Sequence, residues 1–252
     1  MGRLDGKVAI ITGAGTGLGR GTAILFAKEG ATVVLCGRRL EKLQQTVDVC
    51  KANGAEALAV KCDLQKMEDM ENLISVTMET YGKIDILVNN ANAAEQYIPI
   101  MDHTQEMWDT VMKTSLEGTW HMMRLCQPIM MKQKFGRIIN VSSAAGSQGL
   151  KFYGAYAAAK AGIRALTMVA AREWGPEITV NSIAPLNNGE LPDATYAKMT
   201  EEEKAAGYLP PLGYTGDGEK DVAPGILFLA SDDGHYVTGQ NINIDGGLFI
   251  YF

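Results

Sequence analysis

Seven short runs of apolar, often β-branched residues alternate with longer segments of helical pattern. The runs cover residues 7–12, 31–36, 57–62, 84–90, 137–143, 178–184 and 240–245. Runs without strict apolar and polar alternation suit strands buried on both faces, and the segments between them are long enough for crossover helices. The pattern therefore predicts a doubly wound α/β fold of about seven parallel strands. Helices are expected at 18–29, 39–52, 66–80, 104–134, 154–174 and 219–231.

Length and composition indicate one α/β domain over residues 1–252. The chain has 252 residues, of which 46% are hydrophobic, and this is enough for one large core. The exception to regularity is residues 186–218, a polar stretch rich in proline and glycine, with a short helix expected near 199–206. Such a late insertion is more often a mobile lid over a site than a second domain, so a substrate lid is predicted there.

The charge balance and the lengths of the apolar runs exclude several classes of partner and location. With 29 acidic and 23 basic side chains, the net charge is −6, and no basic stripe for nucleic acid is present. No signal-peptide run and no membrane-length apolar run occurs, so a soluble, cytoplasmic protein is expected. The widely spaced cysteines and histidines favour free thiols and no metal site. They are Cys36, Cys50, Cys62, Cys126, His103, His121 and His235.

A glycine-rich turn follows the first predicted strand and opens the first helix. Its glycines are Gly13, Gly15, Gly17 and Gly19. They let the backbone turn tightly and approach a pyrophosphate, whose charge is favoured by the amides and dipole at the helix start. In a βαβ unit this pattern predicts a dinucleotide-binding site.

The end of the second strand bears on which dinucleotide is bound. An NAD-preferring site usually has an acidic residue there, whereas this chain has Arg38 and Arg39. A guanidinium pairs well with a 2′-phosphate, so NADP is favoured over NAD; the alternative is a solvated cap on the second helix. Asp63, after the third strand, is placed to bond the adenine edge or is a solvated loop carboxylate.

Six motifs, taken in order, resemble the short-chain dehydrogenase/reductase family over essentially the whole chain. They are TGAGTGLG (12–19), NNA (89–91), NVSSAAG (140–146), YAAAKAG (156–162), VNSIAP (180–185) and VTGQNINIDGG (237–247). The resemblance implies a single Rossmann-type domain, nicotinamide-dependent interconversion of an alcohol and a ketone, and usually a homotetramer.

Tyr156 and Lys160 lie four residues apart, so on a helix their phenol and ammonium share a face. A free tyrosine has a pKa near 10, and moving it toward 7 takes roughly 4 kcal/mol of preferential phenolate stabilisation. A buried cation such as Lys160 is the obvious source. Tyr156 is therefore the expected acid/base, while Lys160 lowers its pKa and holds the nicotinamide ribose.

Two further residues are assigned relative to this pair. Tyr153 precedes Lys160 by seven residues, about 10 Å of helix rise, which is too far for direct contact. Tyr153 is therefore assigned to the substrate pocket wall, with simple packing as the alternative. In the family, the serine that polarises the substrate oxygen lies thirteen residues before the tyrosine; that position is Ser143, and Ser142 points to the opposite strand face.

The chain departs from the family pattern at four positions. Asn92 replaces a glycine after NNA, and Leu186 replaces the glycine after Pro185. Glu190 replaces a threonine that commonly forms a hydrogen bond with the nicotinamide carboxamide. Asn187 and Asn188 can take over that bond. Ser115 replaces an asparagine that helps to hold a relay water. Because a hydroxyl can also hold a water, proton relay through Ser115 is a hypothesis.

The expected contacts are as follows. Those to the cofactor are Gly13, Gly15, Thr16, Gly17, Leu18, Gly19, Arg38, Arg39, Asp63, Leu64, Asn90, Ala91, Tyr156, Lys160, Pro185, Leu186 and Asn188. Those to the substrate are Tyr97, Leu150, Tyr153 and Leu191, for which core or lid packing is the alternative. Such side chains fit a bulky alicyclic or steroid-like ketone. Together, NNAN, Ser115 and APL resemble bacterial hydroxysteroid dehydrogenases acting on bile acids.

Two other functions remain open. A 3-oxoacyl thioester reductase of the same family needs a basic patch for its carrier, and the acidic segment EEEK at 201–204 weighs against it. A catalytically silent, NADP-sensing regulator would commonly lose the tyrosine or the lysine. Both remain here together with Ser143, so an enzyme is favoured.

Overall fold

The computed structural model describes residues 2–93, 98–187 and 210–250. Its seven strands are β1 Val8–Thr12, β2 Thr32–Gly37, β3 Ala57–Lys61, β4 Ile86–Asn89, β5 Gly136–Val141, β6 Ile178–Pro185 and β7 Asn241–Ile244. Their order is β3-β2-β1-β4-β5-β6-β7, and every neighbouring pair is parallel. The predicted single-domain, Rossmann-type sheet is confirmed. Strand order reverses between β1 and β4, which is where sheets of this kind bind ligands.

Helices cover both faces of the sheet. The α-helices of the described residues are α1 Gly17–Lys28, α2 Leu40–Ala52, α3 Met67–Tyr81, α4 Gln105–Val111, α5 Gly118–Gln133, α6 Ala145–Gln148, α7 Gly154–Trp174 and α8 Ala223–Ala230. A π-helical segment, Met112–Glu117, joins α4 to α5 without a break, and a second one, Gly218–Val222, leads into α8. Short 3₁₀ turns lie at Ile100–Asp102 and Asp232–Gly234.

The core lies in two layers because side chains alternate along each buried strand. In β1, Ala9 and Ile11 pack in one layer with residues of α1 and α8. Val8 and Ile10 pack in the other layer with residues of α3 and α5. The central strands are therefore apolar on both faces, as the runs without alternation predicted.

The elements differ from the predicted ones at a few bounds. The strand expected from residue 84 begins at Ile86, although the Asp85 backbone still donates to the Val8 carbonyl and accepts from the Arg137 amide, both at 2.9 Å. The Asp85 carboxylate accepts a hydrogen bond from the Val8 amide and lies 2.8 Å from the Lys83 ammonium. The helix expected over 104–134 contains the π-helical segment Met112–Glu117. The short helix expected near 199–206, and most of the predicted lid at 186–218, lie outside the described residues.

Two features are absent from residues 2–93, 98–187 and 210–250. None of the helices described is long and apolar enough to cross a membrane. Within the same ranges, no three histidine, cysteine, aspartate or glutamate side chains are grouped to hold a metal ion.

Candidate active site

A cleft of about 290 Å³ lies at the carboxyl ends of the central strands. Thirteen of the predicted cofactor residues line it: Gly13, Gly15, Thr16, Gly17, Leu18, Arg38, Arg39, Asp63, Leu64, Asn90, Ala91, Tyr156 and Lys160. Gly19, Pro185 and Leu186 lie outside this lining, and Asn188 lies outside the described residues. Leu186 instead lines a second cavity, of about 650 Å³, with Tyr214 and Phe249.

The glycine turn presents the start of α1 to the cleft. Gly17 has φ +55°, a left-handed conformation, and no atom lies within 4 Å of where a Cβ would stand. Thr16 precedes the helix in extended conformation, and its side chain does not cap it. The first amides of α1 are therefore available for an anionic group, which fits the diphosphate of a dinucleotide.

The turn after β4 is tied to the end of β1. The Thr12 hydroxyl accepts hydrogen bonds from the Asn90 and Ala91 amides at 2.9 and 2.8 Å. The Asn90 side-chain amide donates to the Thr12 carbonyl at 2.9 Å. Gly19 backs onto this turn, since a Cβ there would lie 2.5 Å from Asn90 Nδ2. Thr12 was not among the predicted site residues. The signal for it in the sequence is its position at the end of the first strand.

Three cations gather at the β2 end of the cleft. Arg38 and Arg39, two of the predicted cofactor contacts, are exposed and line it, and Lys42 of α2 lines it with them. Lys42 lies about one helical turn after the arginines, so the sequence spacing could have identified it. Their combined positive charge suits a doubly charged phosphate.

Two thiols line the cleft beside these cations. Cys36 and Cys62 are each 1% exposed. The hydrogen bond with Cys62, together with burial, raises the pKa of Cys36 well above its ordinary value. The thiol of Cys36 therefore stays neutral at physiological pH, and the pair adds a weakly polar surface near Asp63. All four cysteines are buried free thiols.

Helix α7 carries the Tyr156 and Lys160 pair. Lys160 is 1% exposed, and its ammonium lies 5.4 Å from the centre of the Tyr156 ring. The ammonium donates to the Val141 carbonyl at 2.7 Å, at the carboxyl end of β5. A buried cation thus faces the phenol, which is the arrangement that favours a phenolate.

The loop after β5 packs against the same helix. The Ser142 hydroxyl is buried and donates to the Lys160 carbonyl at 3.0 Å, so it turns toward the α7 backbone. Ser143 is half-buried, and its hydroxyl accepts from the Ala145 amide at 3.2 Å. Ser143 lies outside the lining of the cleft, although it belongs to the loop that Ser142 ties to α7.

The predicted substrate residues are only partly described. Tyr153 directly precedes α7, and its ring centroid lies 5.6 Å from that of Tyr156. Leu150 is half-buried in the turn that leads to α7. Tyr97 and Leu191 lie outside the described residues.

Ser115 and Asn92, two of the departures from the family pattern, are in contact. Ser115 is fully buried in the segment Met112–Glu117, and its hydroxyl lies 3.1 Å from Asn92 Oδ1. The same hydroxyl accepts from the Ala93 amide at 3.2 Å. Asn92 is exposed and lines the cleft, as does Thr114, which was not predicted. Ser115 therefore contacts the turn after β4 from its buried side.

Known proteins with similar sequences extend these observations. A family model described as enoyl-(acyl carrier protein) reductase matches residues 13–249. The 3-oxoacyl-[acyl-carrier-protein] reductase FabG of Thermotoga maritima is 38% identical over 251 residues, which cover 98% of this chain and 100% of that protein. The uncharacterized oxidoreductase YxbG of Bacillus subtilis is 35% identical, with 100% of this chain and 94% of that protein covered.

Solved structures agree with these relatives. A structure from Burkholderia xenovorans assigned to the short-chain dehydrogenases/reductases superposes with a TM-score of 0.90 at 33% identity, covering 98% of each chain. Carveol dehydrogenase of Mycobacterium avium, in complex with NAD, has a TM-score of 0.90 at 27% identity, covering 98% of this chain and 99% of that one.

The chain belongs to the short-chain dehydrogenase/reductase family. It is an oxidoreductase of the class that acts on CH–OH and keto groups, and this family binds a nicotinamide cofactor. The family predicted from the six motifs is confirmed.

Proposed function

We propose that the protein interconverts a secondary alcohol and a ketone with NADP, using Ser143, Tyr156 and Lys160. One observation carries the proposal: the buried Lys160 ammonium lies 5.4 Å from the Tyr156 ring, in the cleft that also contains the glycine turn. This closeness supports the proposal, because the reaction needs an acid/base beside the dinucleotide.

Each side chain has a separate task in the proposed reaction. The bound nicotinamide supplies hydride in reduction and accepts it in oxidation. Tyr156 gives a proton to the substrate oxygen as the ketone is reduced, and takes it back in the reverse direction. The Lys160 charge stabilises the phenolate form of Tyr156, and the Ser143 hydroxyl polarises the substrate oxygen.

NADP is proposed over NAD because of the charge at the β2 end of the cleft. Arg38, Arg39 and Lys42 line that end together. Guanidinium groups bind phosphate in a fork geometry, and an ammonium adds a point charge. The 2′-phosphate of NADP would form ion pairs with these cations. The 2′-hydroxyl of NAD carries no charge, so with NAD the cations would remain hydrated.

For the substrate we propose a bulky alicyclic or steroid-like compound, including bile acids. Tyr153 beside Tyr156 supports this, since it adds an aromatic surface next to the acid/base. A second candidate is a 3-oxoacyl thioester, which is favoured by the 38% identity to a 3-oxoacyl-[acyl-carrier-protein] reductase over almost the whole chain.

Several finer points stay predictions. They are the proton relay through Ser115, the substrate lid at 186–218, the homotetramer and the cytoplasmic location. Sedimentation of the purified protein tests the tetramer directly, with a mass of four 27.2 kDa chains expected.

A turnover panel tests the proposed function. The panel contains steroid, bile-acid and small cyclic ketones, their alcohols, and 3-oxoacyl thioesters, each with NADPH and NADH in parallel. We expect NADPH to be preferred and a cyclic or steroid ketone to be the best substrate. A best rate with the thioester selects the second candidate. If NADPH binds but no compound turns over, a silent, NADP-sensing regulator is favoured and the enzymatic proposal fails.

A further inference from the structure

The contact between Asn92 and Ser115 fixes how the Asn92 amide is oriented. The Ser115 hydroxyl accepts the Ala93 amide proton at 3.2 Å, so its own proton is available for donation. Of its two acceptors, Asn92 Oδ1 at 3.1 Å is nearer than the Ala93 carbonyl at 3.5 Å, so the bond to Asn92 is the stronger one. An asparagine side chain carries its acceptor and its donors on opposite sides. With the oxygen held by Ser115, the NH₂ group turns away from Ser115.

The exposed side of Asn92 faces the cofactor cleft. Asn92 is exposed and lines the cleft, while Ser115 is fully buried and does not reach it. The neighbouring amide of Asn90 is already used, because it donates inward to the Thr12 carbonyl at 2.9 Å. Among the described residues of this turn, up to residue 93, Asn92 is therefore the side chain that offers a donor to a ligand.

Strand order indicates which part of a bound cofactor would pass Asn92. The turn after β4 lies between the glycine turn after β1 and the loop after β5 that packs on α7. The glycine turn fits the diphosphate, and Lys160 lies on the nicotinamide side. A group between them is the ribose of the nicotinamide half, whose hydroxyl oxygens accept hydrogen bonds.

We infer that Asn92 donates a hydrogen bond from Nδ2 to the nicotinamide ribose, and that Ser115 is a positioning residue that orients this amide. The inference rests on the cofactor site of the proposed function and not on its substrate. It assigns a role to two residues at which this chain departs from its family's pattern.

Binding of the whole cofactor and of a fragment of it tests the inference without any measurement of turnover. The probes are NADPH and 2′,5′-ADP, which lacks the nicotinamide ribose; binding is followed by fluorescence and calorimetry. Asn92→Ala should weaken NADPH binding roughly three- to ten-fold, the range for one neutral hydrogen bond, and leave 2′,5′-ADP unchanged. Asn92→Asp, which keeps the shape and the oxygen but loses the donor, should show at least the same loss.

The positioning role of Ser115 is tested by a double-mutant cycle. Ser115→Ala should weaken NADPH binding, and the double variant with Asn92→Ala should bind no more weakly than Asn92→Ala alone. Asn53→Ala, at the exposed end of α2, is the matched control and should bind both probes like the wild type. Thermal melting checks that each variant is folded.

Three results would overturn the inference. They are unchanged NADPH binding in Asn92→Ala, an equal loss for NADPH and 2′,5′-ADP, and additive losses in the double variant. If the wild type prefers NADH, the NADP proposal fails, and NADH with ADP replaces the two probes. If Ser115→Ala leaves binding unchanged but alters the pH profile of turnover, Ser115 serves the proton relay and its positioning role is excluded.

Discussion

The Lys160 ammonium lies 5.4 Å from the centre of the Tyr156 ring, one turn along the same helix. Its charge is buried, and the Val141 carbonyl at the end of β5 accepts one of its protons at 2.7 Å. A buried ammonium is costly unless it is hydrogen-bonded, and this strand end supplies such a partner. The cation is thereby fixed relative to both the sheet and the phenol.

Tyr156→Phe tests this relationship. Removing the hydroxyl should reduce turnover by at least about 100-fold, the lower end of general acid/base contributions, while NADPH binding changes little. Tyr153→Phe is the matched control and should keep its rate within a few fold. Tyr153 lies just before α7 and is seven residues from Lys160, whereas Tyr156 is four residues from it. Steady-state rates and cofactor titration measure both effects. An inactive Tyr153→Phe with an active Tyr156→Phe would reverse the assignment.

Substitution of the cations at the β2 end should change which cofactor is used. Arg38→Ala, Arg39→Ala and Lys42→Ala should each weaken NADPH binding, by about ten-fold for a lost hydrogen bond to a charged group, and leave NADH binding nearly unchanged. Lys51→Ala, in the last turn of the same helix α2, is the control. Equal losses for the two cofactors would mean that these side chains do not contact the 2′-phosphate.

Gly19→Ala should damage the site although Gly19 does not line the cleft. The added methyl would stand 2.5 Å from both Asn90 Nδ2 and the Gly13 carbonyl, so α1 or the turn after β4 must move. We expect about 1–3 kcal/mol of destabilisation and loss of tight cofactor binding.

Gly54→Ala is the control for Gly19→Ala. Gly54 has a left-handed conformation, with φ +84°, which Gly19 does not, but no atom lies within 4 Å of the added methyl. It should cost about 1–2 kcal/mol from backbone strain and leave cofactor binding intact. Denaturant unfolding and NADPH titration separate the two variants, and tight cofactor binding by Gly19→Ala would contradict the expected movement.

The Arg3 and Glu29 pair predicts a pH-dependent contribution to stability. Arg3 donates to Glu29 from its guanidinium at 2.8 Å and from its backbone amide at 2.9 Å, and these bonds lower the pKa of Glu29. Because the folded pKa is lowered, the contribution is present above the unfolded value near 4.3 and is lost as the pH falls through the folded value. Glu29→Gln should reduce the free energy of unfolding at pH 7 by less than about 1 kcal/mol, since both side chains are partly exposed.

Unfolding curves of the wild type and Glu29→Gln at pH 7 and at successively lower pH measure this term. The difference between the two proteins should shrink below about pH 4. A difference that stays constant with pH would show that the charge of Glu29 does not contribute.

The sheet and the centre of the site were predictable because their signals are local. Uninterrupted apolar runs mark strands buried on both faces, and the spacing of Tyr156 and Lys160 depends only on the helical repeat. The role of Thr12 depends instead on which strand ends lie side by side. The contact of Asn92 with Ser115 joins positions 23 residues apart on different elements, so no local pattern reveals it.

The π-helical segment was not predicted for a related reason. Its residues continue the helical pattern of their neighbours, and only the hydrogen bonds across the turn distinguish it from an α-helix. The Asp85 carboxylate likewise has a partner that is distant in sequence, because it accepts a hydrogen bond from the Val8 amide of β1.

The unbroken path from α4 through Met112–Glu117 into α5 limits how this chain can vary in length. A π-helical turn holds one residue more than an α-helical turn, so deleting one residue there would convert it to an α-turn and leave α5 in its orientation. Met122, Met123 and Cys126 would then stay buried, whereas Ser115, which lies inside the segment, would lose its place beside Asn92. The same deletion farther along α5 would rotate the rest of that helix by about 100° and expose part of its buried face. A single-residue change in length therefore affects the cleft at this segment and the core beyond it.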